Sequence, residues 1–224
     1  MLKLFYSILL IFPLFGFAQD YYYPTAVELS HPELVIKRIS FNGKNTVVEL
    51  SVTNKVMGGW FCADRNIYLF NKIENKRYYL KGSDNIPNCP DKYEFKRVGE
   101  KLEFALFFEK IDNHGERIDL VEECNNSCFY FREILLDNKK NLDIHLFETS
   151  VIQFESGNID QAEVNFKRII KDIPEHPTHV YGFAYSYLYK ISKQRGDNTK
   201  AEAWKSEFLK TDLPNKNYYL ENFN

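Results

Sequence analysis

The chain has 224 residues and sets 29 Lys and Arg against 31 Asp and Glu, a formal net charge of −2. Such a balance supplies no global field for nucleic acid or an anionic membrane, which excludes partners held by charge over the whole molecule. The 19 Phe and 15 Tyr read first as core filling by large rings.

Lys3 is followed by an apolar run to Phe17, and Gly16-Phe17-Ala18 precedes Gln19 and Asp20, the layout of a cleavable secretory signal. Residues 1–18 are therefore expected to be a leader, cut after Ala18. Pro13 interrupts that run, and it is shorter than the roughly 20 residues that cross a bilayer. A lipid anchor needs a cysteine at the cut, whereas the first one is Cys62. The mature chain is thus expected in the periplasm or secreted from a bacterial cell envelope, with no membrane span and not as a lipoprotein. Its length of about 200 residues suits two small domains.

After an N-terminal extension, 19–33, a β-domain is expected over 34–138. Leu34 to Phe41 and Thr46 to Thr53 form a hairpin, with Val48, Leu50 and Val52 on one face and Gly43 supplying a positive φ at the turn. Trp60 and Phe61, beside Gly58-Gly59, anchor their loop to the core or present an aromatic ligand site. A second hairpin pairs Asn66 to Lys72 with Arg77 to Lys81. Further strands are expected near Tyr93 to Phe95, over Leu102 to Phe108, Ile118 to Val121 and Phe129 to Leu135. About seven short strands separated by turn residues favour an antiparallel sandwich. On an edge strand Asp119 and Glu123 share a face and Glu122 points away, a solvated arrangement rather than a catalytic carboxylate cluster.

In an exported chain four cysteines are expected to pair. Three connectivities exist. Geometry favours Cys62 with Cys89, which flank the second hairpin, and Cys124 with Cys128, which enclose the turn-forming Asn125-Asn126-Ser127. That last triplet is also formally a glycosylation acceptor, a pattern common by chance. Three residues, rather than two, separate Cys124 from Cys128, which argues against a redox motif. The stretch from Val47 through Leu136, with Ile118-Asp119-Leu120-Val121-Glu122 near its end, resembles immunoglobulin-like β-domains of exported bacterial proteins. That resemblance implies a fold and no site.

Beyond Asp137 the hydrophobic period lengthens, and helices are expected over 139–212, with a tail at 213–224. Leu142, Leu146, Thr149, Ser150 and Phe154 fit one face of the first helix. Gly157-Asn158 breaks it, and Asp160 caps a second helix that ends before Pro174. Ala162, Phe166, Ile169 and Ile170 form the packing seam of that helix. Ser150, Gly157, Ala162, Phe166 and Pro174 together resemble a tetratricopeptide repeat. A second, divergent copy follows a long helix from Thr178 to Arg195, because Gly196 and Ala201 repeat the interval of Gly157 and Ala162, 39 residues on. Lys205 stands where an aromatic is expected, beside Trp204.

This resemblance implies binding of a protein or peptide partner on a non-catalytic scaffold. Two units fall below the three that solenoids generally need, so the helices either bind a partner or pack on the β-domain. Trp60, Tyr181 and Tyr185 are the candidate binding surface, although tyrosines so spaced also suit half-buried packing. Two other classes remain open, a carbohydrate or small-ligand binder suggested by the aromatics and an envelope hydrolase. No nucleophile elbow, HExxH run or phosphate loop is present. No catalytic residue, cofactor or metal is assigned, His176-Pro177-Thr178-His179 lacking a third ligand.

Overall fold

Alternation of apolar and polar residues builds the first part of the chain. The computed structural model describes residues 19–223; the expected leader lies outside them. Eleven strands run in the order β1 (Gln19–Tyr22), β2 (Glu28–Leu29), β3 (Leu34–Phe41), β4 (Asn45–Thr53), β5 (Trp60–Phe61), β6 (Ile67–Asn71), β7 (Lys76–Asp84), β8 (Tyr93–Glu94), β9 (Lys101–Glu109), β10 (Arg117–Glu122) and β11 (Tyr130–Leu135). Five helices follow, α1 (Asn138–Glu155), α2 (Ile159–Ile170), α3 (Val180–Gln194), α4 (Asn198–Lys210) and α5 (Lys216–Leu220). The chain divides into two units after Leu136, β first and α second.

Nine strands form one curled antiparallel sheet in the order β1-β3-β4-β9-β7-β6-β10-β11-β2, and β5 pairs separately with β8. In β4, Val48 and Leu50 lie opposite Leu106 and Phe104 of β9, and all four are buried. The sheet curls at β7. Residues 76–79 of that strand pair with β6, whereas Leu80 to Asp84 pair with β9 across a register shift between Leu80 and Gly82. Inward side chains from both sides of this bend, Ile36, Leu50 and Phe104 on one and Ile67, Leu69, Ile118 and Leu120 on the other, close into one apolar core. The segment read as an extension supplies both edge strands, β1 against β3 and β2 against β11.

The β3–β4 turn differs from expectation. Gly43 is not at positive φ; instead the Asn42 carboxamide accepts the backbone N–H groups of Lys44 and Asn45, both at 2.9 Å, so an Asx turn replaces the glycine turn.

In the second unit, α1 packs on α2, α2 on α3, α3 on α4 and α5 on α3. Ala162, Phe166, Ile169, Ala184, Leu188, Ala201 and Phe208 lie in its core. The Asp137 carboxylate caps α1 by accepting from Lys140 N, and Asp197 caps α4 by accepting from Lys200 N, both at 2.9 Å. Helix α2 begins earlier than expected, with Asn158 at the cap position and Asp160 inside its first turn, where a carboxylate still favours the helix dipole. The inward face of α1 also differs. Leu142 and Thr149 are exposed and Phe147 packs against Phe166 at 5.7 Å between ring centroids, because the buried Asp143 beside Leu142 turns toward Tyr181 of α3.

Candidate functional site

The helical unit is built on a turn made twice. Gly157 sits at φ 86° and Gly196 at φ 75°, a left-handed conformation that glycine adopts without a Cβ clash. Around the first, Gly157 N donates to Phe154 O and Asn158 N to Gln153 O; around the second, Gly196 N donates to Lys193 O and Asp197 N to Ser192 O. Both are Schellman terminations. The next helix then buries an alanine five residues past each glycine, Ala162 and Ala201, where a small side chain lets the helix backbones approach. Ser150 is buried and donates to Leu146 O at 2.6 Å, Phe166 stacks on Tyr187 at 4.8 Å, and Pro174 follows the end of α2.

Two polar clusters tie these helices together. Glu163, with 9 % of its side chain exposed, lies 2.7 Å from the ammonium groups of Lys167 and Lys200 and also pairs with Arg195. Burial opposes its charge, yet hydrogen bonds from Lys167, Lys200 and Arg195 win and hold the carboxyl at about 2. In the second cluster, the Tyr181 hydroxyl donates to the Asp143 carboxylate at 2.6 Å, and Lys139 approaches the same carboxylate at 2.7 Å. Burial, reinforced by Asp143, pushes the Tyr181 hydroxyl above the ordinary phenol range. Tyr181 is therefore a core tie, and Tyr185 packs beside Phe208 with ring centroids 5.9 Å apart. Neither side chain offers the binding surface expected of it, because the aromatic face of α3 is turned inward against α1 and α4.

What the unit does offer is an open groove of about 880 Å³, lined by His179 and by the segment from Asp212 to Tyr219. Tyr218 stands 61 % exposed on it, its ring edge-on to Phe183 at 5.8 Å. The Lys216 ammonium donates to Leu209 O at 2.9 Å, and Asn215 and Asn217 add carboxamides. An imidazole, an ammonium, a carboxylate from Asp212 and two amides beside Tyr218 and Tyr219 offer both donors and acceptors to a peptide. Sequence reading missed this groove because its residues belong to a polar C-terminal segment without periodicity.

In the β unit both disulfides are formed, Cys62 with Cys89 and Cys124 with Cys128. The three acids read as a solvated edge separate. Glu122 is buried and accepts backbone N–H groups from Asp64 at 2.8 Å and Phe129 at 3.1 Å; burial raises its pKa. Asp119 accepts from Glu133 N, and Glu123 pairs with Arg77 at 2.9 Å. Glu122 turns inward because two orphan N–H groups of the flanking loops need an acceptor. Phe61 packs between Phe104 and Phe129, at 5.8 and 6.2 Å, whereas Trp60 is half exposed. Only the first anchors its loop. Among the described residues, no group of three or more His, Cys, Asp or Glu could hold a metal, and no helix is long and apolar enough to cross a membrane.

Comparison with protein-family models, with curated proteins and with solved structures finds no match to this chain.

Proposed function

We propose that this is an exported, non-catalytic interaction protein, in which an immunoglobulin-like β-domain carries a divergent tetratricopeptide-like pair of helical hairpins that binds a protein or peptide partner. The observation that carries the reading is the turn made twice, 39 residues apart, each copy followed by a buried alanine. A duplicated helix–turn–helix supplies surface and shape, the resource of scaffolds. Export is supported by the leader-like first residues together with two disulfides, since such bonds persist where thiols oxidise. The groove beside Tyr218 and Lys216 is the proposed peptide seat.

The test is affinity capture from a cell-envelope extract with the mature chain and with a Lys216→Glu, Tyr218→Ala variant that keeps its helical signal. A single protein retained by the first and lost by the second is the expected result. Equal retention moves the site off the groove, and turnover of a substrate by the mature chain overturns the non-catalytic reading.

A further inference from the structure

The β unit carries a second surface, unrelated to the groove. Two loops lie side by side at one end of the sheet, 54–60 and 94–100. They are sewn together by Asn54 N to Glu100 O at 2.9 Å, Gly99 N to Asn54 O at 2.8 Å, Phe95 N to Gly59 O at 2.9 Å and the Asn54 carboxamide to Arg97 O at 2.8 Å. Below them Phe61 is packed against the core, the Cys62–Cys89 disulfide closes the chain, Ala63 N donates to Pro87 O and Cys89 N donates to Ala63 O. The tip is thus held rigidly, yet its side chains face solvent: Val56 at 60 %, Met57 at 79 %, Trp60 at 50 % and Val98 at 51 % exposure.

Charge surrounds these four apolar groups. Lys55, Lys92, Lys96, Arg97 and Lys101 are all exposed, against Asp91, Glu94 and Glu100. The Glu100 carboxylate is already taken by the Tyr93 hydroxyl at 2.8 Å and by Lys96 N at 2.8 Å, and this binding lowers its pKa, the Tyr93 contact first. Those donors are uncharged, so Glu100 stays anionic, and the rim's five cations against three carboxylates leave a local excess of two positive charges although the whole chain carries −2.

We infer that this tip docks on an anionic lipid surface, with Val56, Met57, Trp60 and Val98 entering the interfacial layer and the surrounding lysines meeting lipid phosphates. Three considerations choose this occupant. Burial of apolar side chains plus attraction to anionic headgroups is the physics of peripheral membrane attachment, and tryptophan favours the headgroup level. A sugar platform needs flat rings, but the Lys92 ammonium sits over the Trp60 ring at 4.0 Å, and the neighbouring apolar groups are aliphatic. The buried centre of a protein interface is poor in lysine, and here Lys55 adjoins Val56 and Met57 while Lys96 and Arg97 adjoin Val98 in the chain.

The experiment is sedimentation of the mature chain with vesicles of phosphatidylcholine mixed equally with phosphatidylglycerol, and with pure phosphatidylcholine, in rising salt. Expected are binding to the mixed vesicles alone, loss of it at high salt, and a blue shift of Trp60 emission read in a Trp204→Phe background. Met57→Asp and the double change Lys92→Glu, Lys96→Glu should each weaken binding by roughly tenfold or more. Val98→Asp, on the other loop, is an independent second variant; each variant is required to keep both disulfides and the wild-type circular dichroism. Absence of binding, equal binding to the neutral vesicles, or binding unchanged by both Met57→Asp and Val98→Asp overturns the inference. So does a soluble protein that Met57→Asp releases while lipid binding is absent.

Discussion

The β unit and the helical unit each bury a glutamate, and they treat it in opposite ways. Glu122 is lodged among backbone N–H groups with no cation on it, and burial drives its pKa up. Glu163 is surrounded by Lys167, Lys200 and Arg195, and its pKa falls to about 2. The contrast follows from architecture. A strand end beside two loops has spare amides to offer, whereas a helix between two others has only side chains to reach across the gap. The β unit is accordingly held by its ladder, its apolar core and two disulfides, and the helical unit by aromatic packing joined to charge.

That difference can be broken from either side. The largest effect is expected from Phe208→Ala, which empties a fully buried site among Tyr185, Tyr219 and Phe223 and should cost about 3–5 kcal/mol. Denaturant unfolding followed by helical circular dichroism reads it, and the β unit's transition should stay in place. Replacing Cys62 and Cys89 by serine is the mirror experiment. Opening that loop should cost the β unit about 3.5 kcal/mol in the chain-entropy model and leave the helical transition unmoved; a shift of both would dissolve the contrast.

Acid sharpens the comparison. The depressed pKa of Glu163 means that its stabilisation is whole above the ordinary glutamate value of 4.5 and is lost as pH falls toward about 2, a total of about 3 kcal/mol at roughly 1.4 kcal/mol per unit. Glu122 has the other sign. Between the ordinary value and its raised one, folded Glu122 holds more protons than unfolded, so its contribution improves as pH falls. Helical signal should therefore disappear before the β unit's near-ultraviolet signal in an acid titration, and Glu163→Gln, less stable at neutral pH by a similar amount, should flatten the helical limb. The smallest effect is expected from Gly157→Ala or Gly196→Ala, each about 1–2 kcal/mol from a Cβ forced into the left-handed region. Two equal losses would be the energetic counterpart of the duplicated turn.

What could be read from residue order tracks how far apart the interacting groups lie. The β3–β4 pairing, the β9 alternation, the left-handed Gly157 and Gly196 and the burial of Ala162 and Phe166 follow local patterns, and the structure shows each of them. The edge strands β1 and β2 are too short to alternate visibly, and β7 extends to Asp84 through Gly82 and polar residues that look like loop. Beside their near neighbours Lys139 and Lys167, buried Asp143 is held by Tyr181, 38 positions away, and Glu163 by Arg195 and Lys200, 32 and 37 away. Such pairs have no local signature. The groove at Tyr218 was invisible for a related reason, and of the tip at Met57 only Trp60 was singled out, since exposure is a property of neighbours rather than of a residue.

The bend at β7 has a consequence for how the first unit assembles. One strand lends its opening residues to one set of neighbours and its closing residues to another, like the spine shared by two facing pages. Neither page is bound without it. The β unit cut within the β6–β7 turn should yield halves whose strands remain unstructured apart and regain order only on mixing, so the bent strand makes that unit indivisible.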